Sequence, residues 1–383
     1  MPRLLYLLAV CNLVIGTGAF VLNGILVPLS ESLQVSVSAA GQATTVYAIA
    51  TAVLAPLALV WTGGWSRRHA LVLGMLLFSL GNLVCAFASS LWILLAGRVV
   101  MGLGAMFTPI AAGIAVAMVE PARRGRALSL VFLGMSLSYV IGLPLGSWLG
   151  LQYGWRWPVA LIVVASLLCS VALWVQLPRD IQAPGANFRG LTQVFGNAAV
   201  RWALLLTLCY FVAIFVVFAY IGPVLQALEP MSKEGMSFTL MVFGLAGVAG
   251  TLSGGWANDR FGAPRTMMRQ LALLAAMMAL VPLTRGHYGW MLLVFIVWGI
   301  AGFGMMTPQQ SRLASLAPAQ APILLSLNTS MLYIGTAIGA AVGGAASAHV
   351  GFDKLAWVGA PFAVAGIGAL WMSTRKTALL RPA

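Results

Sequence analysis

The sequence has few ionisable side chains, and acidic ones are the scarcest. Only 7% of its 383 residues are charged, with 7 Asp and Glu against 21 Lys and Arg. Hydrophobic residues make up 61%, and the mean hydropathy is +0.98. A soluble domain of this length would lack the polar residues that cover a surface. The composition therefore excludes an ordinary soluble protein and indicates a chain that lies in a membrane.

Cysteine and histidine are also scarce, and this bears on enzymes and metalloproteins. The four cysteines fall in apolar segments without the spacing of metal ligands, and the three histidines lie at the ends of such segments. A membrane-embedded enzyme needs a nucleophile, a base or metal ligands that converge on one site. The sequence offers no such cluster of His, Asp and Glu. We therefore expect no metal, no cofactor and no enzymatic activity.

Twelve apolar segments account for most of the chain. Each has about twenty or more residues, enough for a helix to cross a bilayer core of roughly 30 Å, and a helix satisfies its own backbone hydrogen bonds in lipid. The fold class predicted is therefore an all-α membrane protein with twelve transmembrane helices. The predicted spans are about 4–29, 37–61, 70–89, 91–118, 127–149, 156–177, 202–227, 236–257, 266–284, 289–311, 322–348 and 355–374.

Positive charge is distributed unevenly between the connections. With the N-terminus inside, sixteen of the 21 Lys and Arg residues lie on the inner side and Arg98 lies within a span. The four on the outer side are Arg156, Lys233, Arg285 and Lys354. This asymmetry follows the positive-inside rule. It predicts that both termini are cytoplasmic. The net charge of +14 then follows from the orientation of the chain in the lipid bilayer and requires no nucleic-acid partner.

The sequence contains an internal repeat. Residues 121–149 align with residues 318–346 without a gap. The repeat predicts two six-helix bundles, 1–177 and 202–383, joined by a polar cytoplasmic linker at 178–201. Two parallel repeats of six spans are typical of secondary transporters, whose substrate sites lie near the midplane where the repeats meet. The alternative is an old duplication in a protein that moves nothing.

Three motifs carry a resemblance to a known family. Residues 254–262 contain Gly-x-x-x-Asp-Arg-x-Gly, residues 98–104 contain Arg-x-x-x-Gly-x-Gly, and residues 142–146 read Gly-Leu-Pro-Leu-Gly. The chain resembles the major facilitator superfamily, and within it the bacterial drug:proton antiporter branch with its sugar and purine-nucleoside efflux permeases. The resemblance implies a multi-pass protein of the bacterial inner membrane. Such a protein exports a small-molecule substrate (a drug, sugar or nucleoside-like solute) by alternating access.

The resemblance also implies a conformational latch in the short loop between the eighth and ninth spans. An acid–base pair there would hold neighbouring helix ends together, and the glycines would permit a tight turn. The matching residues are Gly255, Asp259, Arg260 and Gly262. The loop of the first half offers Arg67 and Arg68 but no acid, and Ser66 stands where the family has Asp. The alternative is a turn that only carries positive-inside charges.

The family lines its cavity with spans one, four, seven and ten. In this chain those spans offer Asn12, Asn23, Arg98, Thr108, Tyr210, Tyr220, Trp298 and Gln309. As a set they predict an amphipathic cavity with aromatic walls and no negative charge, although each alone can be a helix–helix hydrogen bond. An arginine inside a span costs roughly 2.5–3.5 kcal/mol on insertion scales and usually faces a cavity or a partner. Snorkelling or a structural hydrogen bond is the alternative for Arg98.

Glycine and proline in the fourth and fifth spans predict close helix packing or hinges. Gly102 and Gly104 have no Cβ, which permits neighbouring helices to approach closely. Gly142 and Gly146 would act likewise, and between them Pro144 removes a backbone donor.

None of the seven acidic residues lies inside a predicted span. They are Glu31, Glu120, Asp180, Glu229, Glu234, Asp259 and Asp353. Many efflux members of the family carry a proton-carrying carboxylate in the first span, where this chain has Gly18 and Ala19. Burial raises the pKa of a carboxyl group towards neutrality, and such a group is missing here. We therefore predict weak or absent proton coupling, with Glu31 at the outer end of the first span as the remaining candidate.

Two other functions stay open at this point. A membrane sensor that transports nothing would normally need a soluble signalling domain, and no connection in this sequence is long enough for one. A multi-spanning membrane enzyme is disfavoured by the missing cluster of reactive groups. Because both repeats lie on one chain, we expect a transporter to function as a monomer.

The charge asymmetry predicts the membrane topology. A cysteine introduced by G190C in the linker should be labelled by an impermeant thiol reagent only from the cytoplasmic side. A cysteine introduced by K233C should be labelled only from outside, because its connection has few basic residues. Labelling in intact cells and in inside-out vesicles measures both positions, and labelling of G190C in intact cells would contradict the topology.

Overall fold

The computed structural model describes residues 3–120, 124–178, 196–317 and 321–378. Over these ranges the secondary structure is helical, and no strand is formed. By length and composition, 12 helical segments are able to cross a membrane. The predicted all-α class with twelve spans is confirmed. The inner or outer position of each terminus stays a prediction.

The first of two compact units comprises Met1–Ala186 together with Ser232–Met241. Nine α-helices lie wholly within its described residues. They are α1 (Arg3–Gly24), α2 (Leu26–Leu33), α3 (Val37–Trp61), α4 (Arg67–Ala86), α5 (Leu91–Gly104), α6 (Phe107–Ala117), α7 (Arg124–Leu137), α8 (Leu143–Tyr153) and α9 (Arg156–Gln176). A single π-helical turn, Ser138–Gly142, joins α7 to α8.

The second unit comprises Asn187–Met231 together with Val242–Ala383. Its helices are α10 (Ala198–Phe218), α11 (Ile221–Leu228), α12 (Lys233–Phe261), α13 (Ala263–Leu280), α14 (Tyr288–Phe303), α15 (Met306–Leu316), α16 (Ala321–Val350) and α17 (Leu355–Ala378). The first turns of α12 belong to the first unit. A 3₁₀ turn, Val281–Thr284, extends α13.

The predicted linker 178–201 overlaps the start of a helix. Residues 179–195 lie outside the described residues, but α10 already begins at Ala198. Asn197 caps it, because its side chain accepts a hydrogen bond from the Ala199 N–H at 2.9 Å. Asparagine is a favoured N-cap for this reason.

Spans one, four, seven and ten are each broken into two helices, and each break lies three residues before a proline. The four pairs are Ile25 with Pro28, Met106 with Pro109, Tyr220 with Pro223, and Met305 with Pro308. Proline has no N–H, and its ring clashes with the carbonyl group four residues earlier, so a helix does not continue through it undisturbed. The breaks at Ile25 and Tyr220 have nearly the same backbone angles, with φ/ψ of −126°/27° and −118°/28°.

In the first unit, glycines bring the fifth span against the first. A Cβ added to Gly142 would collide with the Thr17 side chain, and one added to Gly146 would collide with Val21. Both partners lie on α1, one turn apart. Gly142 and Gly146, which the sequence predicts to pack helices closely, therefore lie at a close contact between the fifth and first spans.

The second unit repeats this arrangement. Gly339 and Gly343 of α16 lie against the backbone carbonyl groups of Val212 and Val216 on α10. These glycines are the residues that the sequence repeat aligns with Gly142 and Gly146. Corresponding glycines thus hold corresponding helix pairs together in each unit.

Antiparallel helices α4 and α5 pack backbone to backbone. A Cβ on Gly81 would lie 2.6 Å from the Gly97 carbonyl oxygen, and a Cβ on Gly104 would lie 2.7 Å from the Gly74 carbonyl oxygen. The two glycines on each helix are seven residues apart, which is close to two helical turns. They therefore mark two points of direct backbone approach along one seam, beside which the Phe78 and Met101 side chains lie.

The π-helical turn in the fifth span lies directly before Pro144. Because Pro144 cannot donate to the carbonyl group four residues earlier, the hydrogen-bond pattern of this span is interrupted there. A wider turn over Ser138–Gly142 is the local result. The predicted effect of Pro144 on the backbone is thus seen as a change of helix type, and α8 continues beyond it.

The glycine seam predicts a position-specific effect on stability. Gly81→Ala should destabilise the protein by about 1–3 kcal/mol, the usual cost of forcing extra atoms into a packed contact. Gly368→Ala is the matched control, since Gly368 is also helical but a Cβ there meets nothing within 4 Å. This control should be neutral, or stabilising by up to about 1 kcal/mol. Thermal unfolding in detergent compares them, and equal midpoints would contradict the seam.

Candidate transport site

Arg98 lies in the interior of the first unit with only 2% of its surface exposed. Its Nη1 donates hydrogen bonds to the carbonyl oxygens of Gly18 at 3.0 Å and Ala19 at 3.3 Å. The guanidinium also lies 5.8 Å from the centre of the Tyr47 ring. The Nε atom is buried and has no hydrogen-bond partner among the described residues. Arg98 thus bonds α1 through main-chain atoms and does not snorkel.

Asn12 and Thr108 are brought together in the first unit. The Thr108 hydroxyl donates to Asn12 Oδ1 at 2.9 Å, and Asn12 Nδ2 donates to the Val131 carbonyl oxygen at 3.1 Å. These bonds link α1, α6 and α7. Because the Asn12 amide uses both of its ends inside the unit, its geometry favours helix–helix bonding over ligand contact.

Asn23 has one satisfied end and one free end. Its Oδ1 accepts a hydrogen bond from the Thr44 hydroxyl at 2.7 Å. Its Nδ2 is buried and has no hydrogen-bond partner within the described ranges. Asn23 lies one turn beyond Ala19 on α1, so it is on the same side of that helix as the main-chain groups that bind Arg98.

The predicted aromatic residues of the second unit are all buried. Tyr210 donates to the Gly302 carbonyl oxygen, and Tyr220 donates to the Ala340 carbonyl oxygen at 3.0 Å. Trp298 packs against Phe243 with a centroid distance of 5.1 Å. The Trp298 Nε1 has no hydrogen-bond acceptor in the part of the chain that the structure describes.

Gln309 belongs to a polar network that the sequence analysis did not find. Its Nε2 donates to the Ala203 carbonyl oxygen at 2.7 Å and to Thr207 Oγ1 at 2.8 Å. Thr207 in turn donates to Asn328 Oδ1 at 2.6 Å. The network links α15, α10 and α16. Thr207 and Asn328 could have been noted as polar residues in apolar spans, but their spacing does not reveal that they meet.

A second buried arginine was also missed. Arg312 lies just beyond the predicted tenth span of 289–311, but α15 continues to Leu316 and Arg312 is only 5% exposed. Its Nη2 donates to Ser373 Oγ at 2.8 Å, and Ser373 donates to the Ala199 carbonyl oxygen at 2.6 Å. Arg98 is therefore not alone as a buried cation, and Arg312 joins α15, α17 and α10.

Gly102 and Gly104 lie at helix contacts of the first unit. A Cβ on Gly102 would come within 2.9 Å of the Thr51 nitrogen on α3, while Gly104 is part of the seam with α4. Their predicted role in packing fits these positions. The hinge role of this group of residues stays a prediction.

The predicted latch of the second half differs from expectation in its geometry. Asp259 and Arg260 do not lie in a loop, because α12 runs to Phe261 and only Gly262 separates it from α13. The tight turn is at Gly262, with φ +79°, a conformation that favours glycine. Gly255 lies inside the helix, so its expected part in a turn was wrong.

The acid–base pair of the latch is not formed among the described residues. The one salt bridge there joins Arg285 to Asp353 at 3.3 Å. Asp259 Oδ1 accepts from Asn258 Nδ2 at 3.4 Å, and Arg260 lies 5.5 Å from the Trp256 ring centre. The latch role of these residues stays a prediction.

The corresponding loop of the first half begins a helix. Ser66 is the N-cap of α4, and its side chain accepts from the His69 N–H at 3.4 Å. Serine and aspartate both cap helices well, which explains how Ser66 replaces the acid of the family locally. Arg67 is buried, and Arg68 stacks on Trp174 at 4.2 Å.

The acidic residues lie where the sequence predicted, at span ends and connections. Those described in the first unit, Glu31, Glu120 and Glu234, are exposed; Asp180 lies outside the described residues. Within the described ranges, no group of three or more His, Cys, Asp or Glu side chains could hold a metal ion.

Twelve spans in two units, with discontinuous helices and polar groups inside them, define a membrane transporter. A sequence profile of the Major Facilitator Superfamily matches residues 8–327. The chain therefore belongs to the Major Facilitator Superfamily, as its motifs predicted.

Curated relatives match over nearly the full chain. The inner membrane transport protein YdhP of Escherichia coli (strain K12) is 30% identical over 94% of this chain and 93% of its own. The uncharacterized MFS-type transporter YbcL of Bacillus subtilis is 27% identical over 93% and 92%. A probable sugar efflux transporter of Pasteurella multocida is 27% identical over 94% and 89%. The chain is a multi-pass transporter of the bacterial inner membrane.

Solved structures share the fold at low sequence identity. A bacterial homolog of the human lysosomal transporter Spinster, in an inward-facing and occupied conformation, aligns with a TM-score of 0.84 at 16% identity, over 99% of this chain and 98% of its own. A D-xylose–proton symporter aligns with a TM-score of 0.78 at 16% identity, over 96% of both chains.

The geometry around Arg98 predicts the outcome of two substitutions. Arg98→Ala should lower transport about tenfold to a hundredfold, because the charge and its hydrogen bonds are lost. Arg98→Lys should keep part of the activity, since lysine retains the charge but not the planar donor fork. Transport by purified protein in vesicles, normalised to the amount inserted, measures both. Normal transport by the alanine variant would reduce Arg98 to a structural residue.

Proposed function

We propose that this transporter acts as an exporter, moving a small organic solute such as a drug, sugar or nucleoside-like compound out of the cell. The observation that carries the proposal is the break before a proline in each of the four spans on which the site residues are predicted. These are spans one, four, seven and ten. Discontinuous helices of this kind form substrate sites in secondary transporters. The name of the Pasteurella relative supports efflux as the direction.

We propose further that the protein works as a monomer, because both six-span repeats lie on one chain. No second copy is needed to supply the other repeat. The predicted bundles 1–177 and 202–383, joined at 178–201, would be the two parts that move during transport.

Energy coupling is proposed to be weak. An exchanger driven by protons needs a group that gains and loses a proton between its conformations. The spans of the described ranges have carboxylates only near their ends, and Arg98 stays protonated in all conditions of interest. Export would then follow the substrate gradient, or a proton carried by the substrate itself. Glu31, exposed on α2, is the remaining protein group near the first span.

Inside-out and right-side-out vesicles compared with each other test the direction of transport, because an exporter should give the faster initial uptake where the added solute meets the cytoplasmic face. Vesicles from cells that express the protein should accumulate drugs, sugars or nucleosides faster than vesicles from cells that do not. Uptake confined to right-side-out vesicles would show an importer. If neither kind of vesicle takes up any of these compounds, the proposal that the protein transports such solutes is overturned.

A pH gradient imposed on reconstituted vesicles tests the coupling. With a substrate that is permanently charged or cannot ionise, we expect no accumulation against its electrochemical gradient, because no buried carboxylate carries a proton. Accumulation that disappears when the pH difference is collapsed would contradict this. If Glu31→Gln then abolished the accumulation while Glu120→Gln, at the other end of the unit, did not, Glu31 would be the coupling group.

A further inference from the structure

The positive charge of Arg98 has no negative partner inside the first unit. The carbonyl oxygens of Gly18 and Ala19 are neutral, and the Tyr47 ring offers only the weak attraction of its π-face. Every acidic residue described in this unit is exposed at the end of a span or in a connection, and no salt bridge reaches Arg98 within the described ranges. A guanidinium kept in an apolar interior without a counter-ion is costly.

Two unpaired hydrogen-bond donors belong to Arg98 and to Asn23 of α1. Arg98 Nε and Asn23 Nδ2 are both buried without an acceptor among the described residues. Arg98 is anchored at Ala19, and Asn23 follows Ala19 by one helical turn, so the two donors belong to neighbouring turns of one face. A ligand that satisfies them must bring acceptor atoms.

Charge decides which kind of acceptor fits best. A neutral hydroxyl or carbonyl group of a ligand would satisfy the hydrogen bonds but leave the guanidinium without a counter-charge. A carboxylate satisfies both, because its two oxygens match the parallel N–H groups of arginine and can accept from a neighbouring amide as well. The main-chain bonds to Gly18 and Ala19 hold the arginine side chain in place to receive such a carboxylate.

We propose that Arg98 and Asn23 bind the carboxylate of the transported solute, which makes this protein a carrier of organic monoanions. The inference rests on the proposed function, because it takes the transport of a small organic solute as given. It specifies the charge of that solute. It also assigns the buried arginine of the first unit a role as the counter-ion of the substrate.

Matched pairs of acids and their amides test the proposal on the purified, full-length protein. Benzoate with benzamide, and glucuronate with glucuronamide, differ little in shape but differ in charge. The acids should raise the unfolding temperature in detergent at concentrations about tenfold or more below those of the amides. Sodium chloride and inorganic phosphate at equal ionic strength distinguish a carboxylate site from a general anion site.

Variants assign the preference to the proposed residues. Arg98→Gln should abolish the difference between acid and amide, Arg98→Lys should retain part of it, and Asn23→Ala should weaken acid binding. Arg312→Gln is the matched control, because it removes another buried arginine with an unpaired nitrogen from the second unit. It should keep the preference. Size-exclusion profiles and helix content establish that each variant is folded. If Arg98→Gln does not fold, Arg98→Lys takes its place in the comparison.

Several results would overturn the proposal. These are equal stabilisation by acids and amides, no stabilisation by any acid, equal stabilisation by chloride or phosphate, or a preference that survives in Arg98→Gln. Transport of neutral solutes with no preference for acids would overturn it while leaving the exporter intact. Acid binding that depends on Arg98, without uptake into inside-out vesicles, would instead support the site and refute the proposed export.

Discussion

This structure depends on one constraint: the backbone N–H and C=O groups of the spans must form their hydrogen bonds without water. It requires helices throughout the spans, and it makes each proline break a place where local bonds must be rearranged. At Ile25 and Tyr220 the freed N–H groups bond three residues back, to Leu22 and Val217, both at 3.0 Å. At these two breaks the N–H group stays paired while the helix is interrupted.

The two units use one scaffold for different chemistry. Residues 98–104 read Arg-Val-Val-Met-Gly-Leu-Gly and residues 298–304 read Trp-Gly-Ile-Ala-Gly-Phe-Gly, so Arg98 and Trp298 lie at equivalent positions, six residues before Gly104 and Gly304. Each is almost completely buried, and each has a nitrogen donor without an acceptor among the described residues. One repeat has thus kept a cation and the other an aromatic ring. The two repeats therefore share their helices and differ in the chemistry of the buried group at this position.

The sequence predicted the fold better than the site. Apolar length placed the spans closely, and α3 coincides with its predicted range of 37–61, because hydropathy measures the property that the bilayer selects. The apolar runs end before the helices do, which is why Asp259 is expected in a loop and Arg312 falls outside the predicted tenth span. The partners of Gln309 could not be foreseen, since contacts such as Thr207 with Asn328 join residues 121 positions apart. Motif and composition identify which polar residues are present, whereas the packing of helices decides which of them meet.

The anchoring of Arg98 on main-chain oxygens has an evolutionary consequence. A contact to carbonyl groups does not depend on which side chains occupy positions 18 and 19, so those positions can vary without releasing the arginine. A Cβ at Gly18 would lie 2.7 Å from the Phe78 ring, which leaves Ala19 as the position freer to change. A single codon change there, from alanine to aspartate, would place a carboxyl group on the turn that holds the guanidinium. One substitution would therefore give this scaffold the buried carboxyl group that the middle of its described spans lacks.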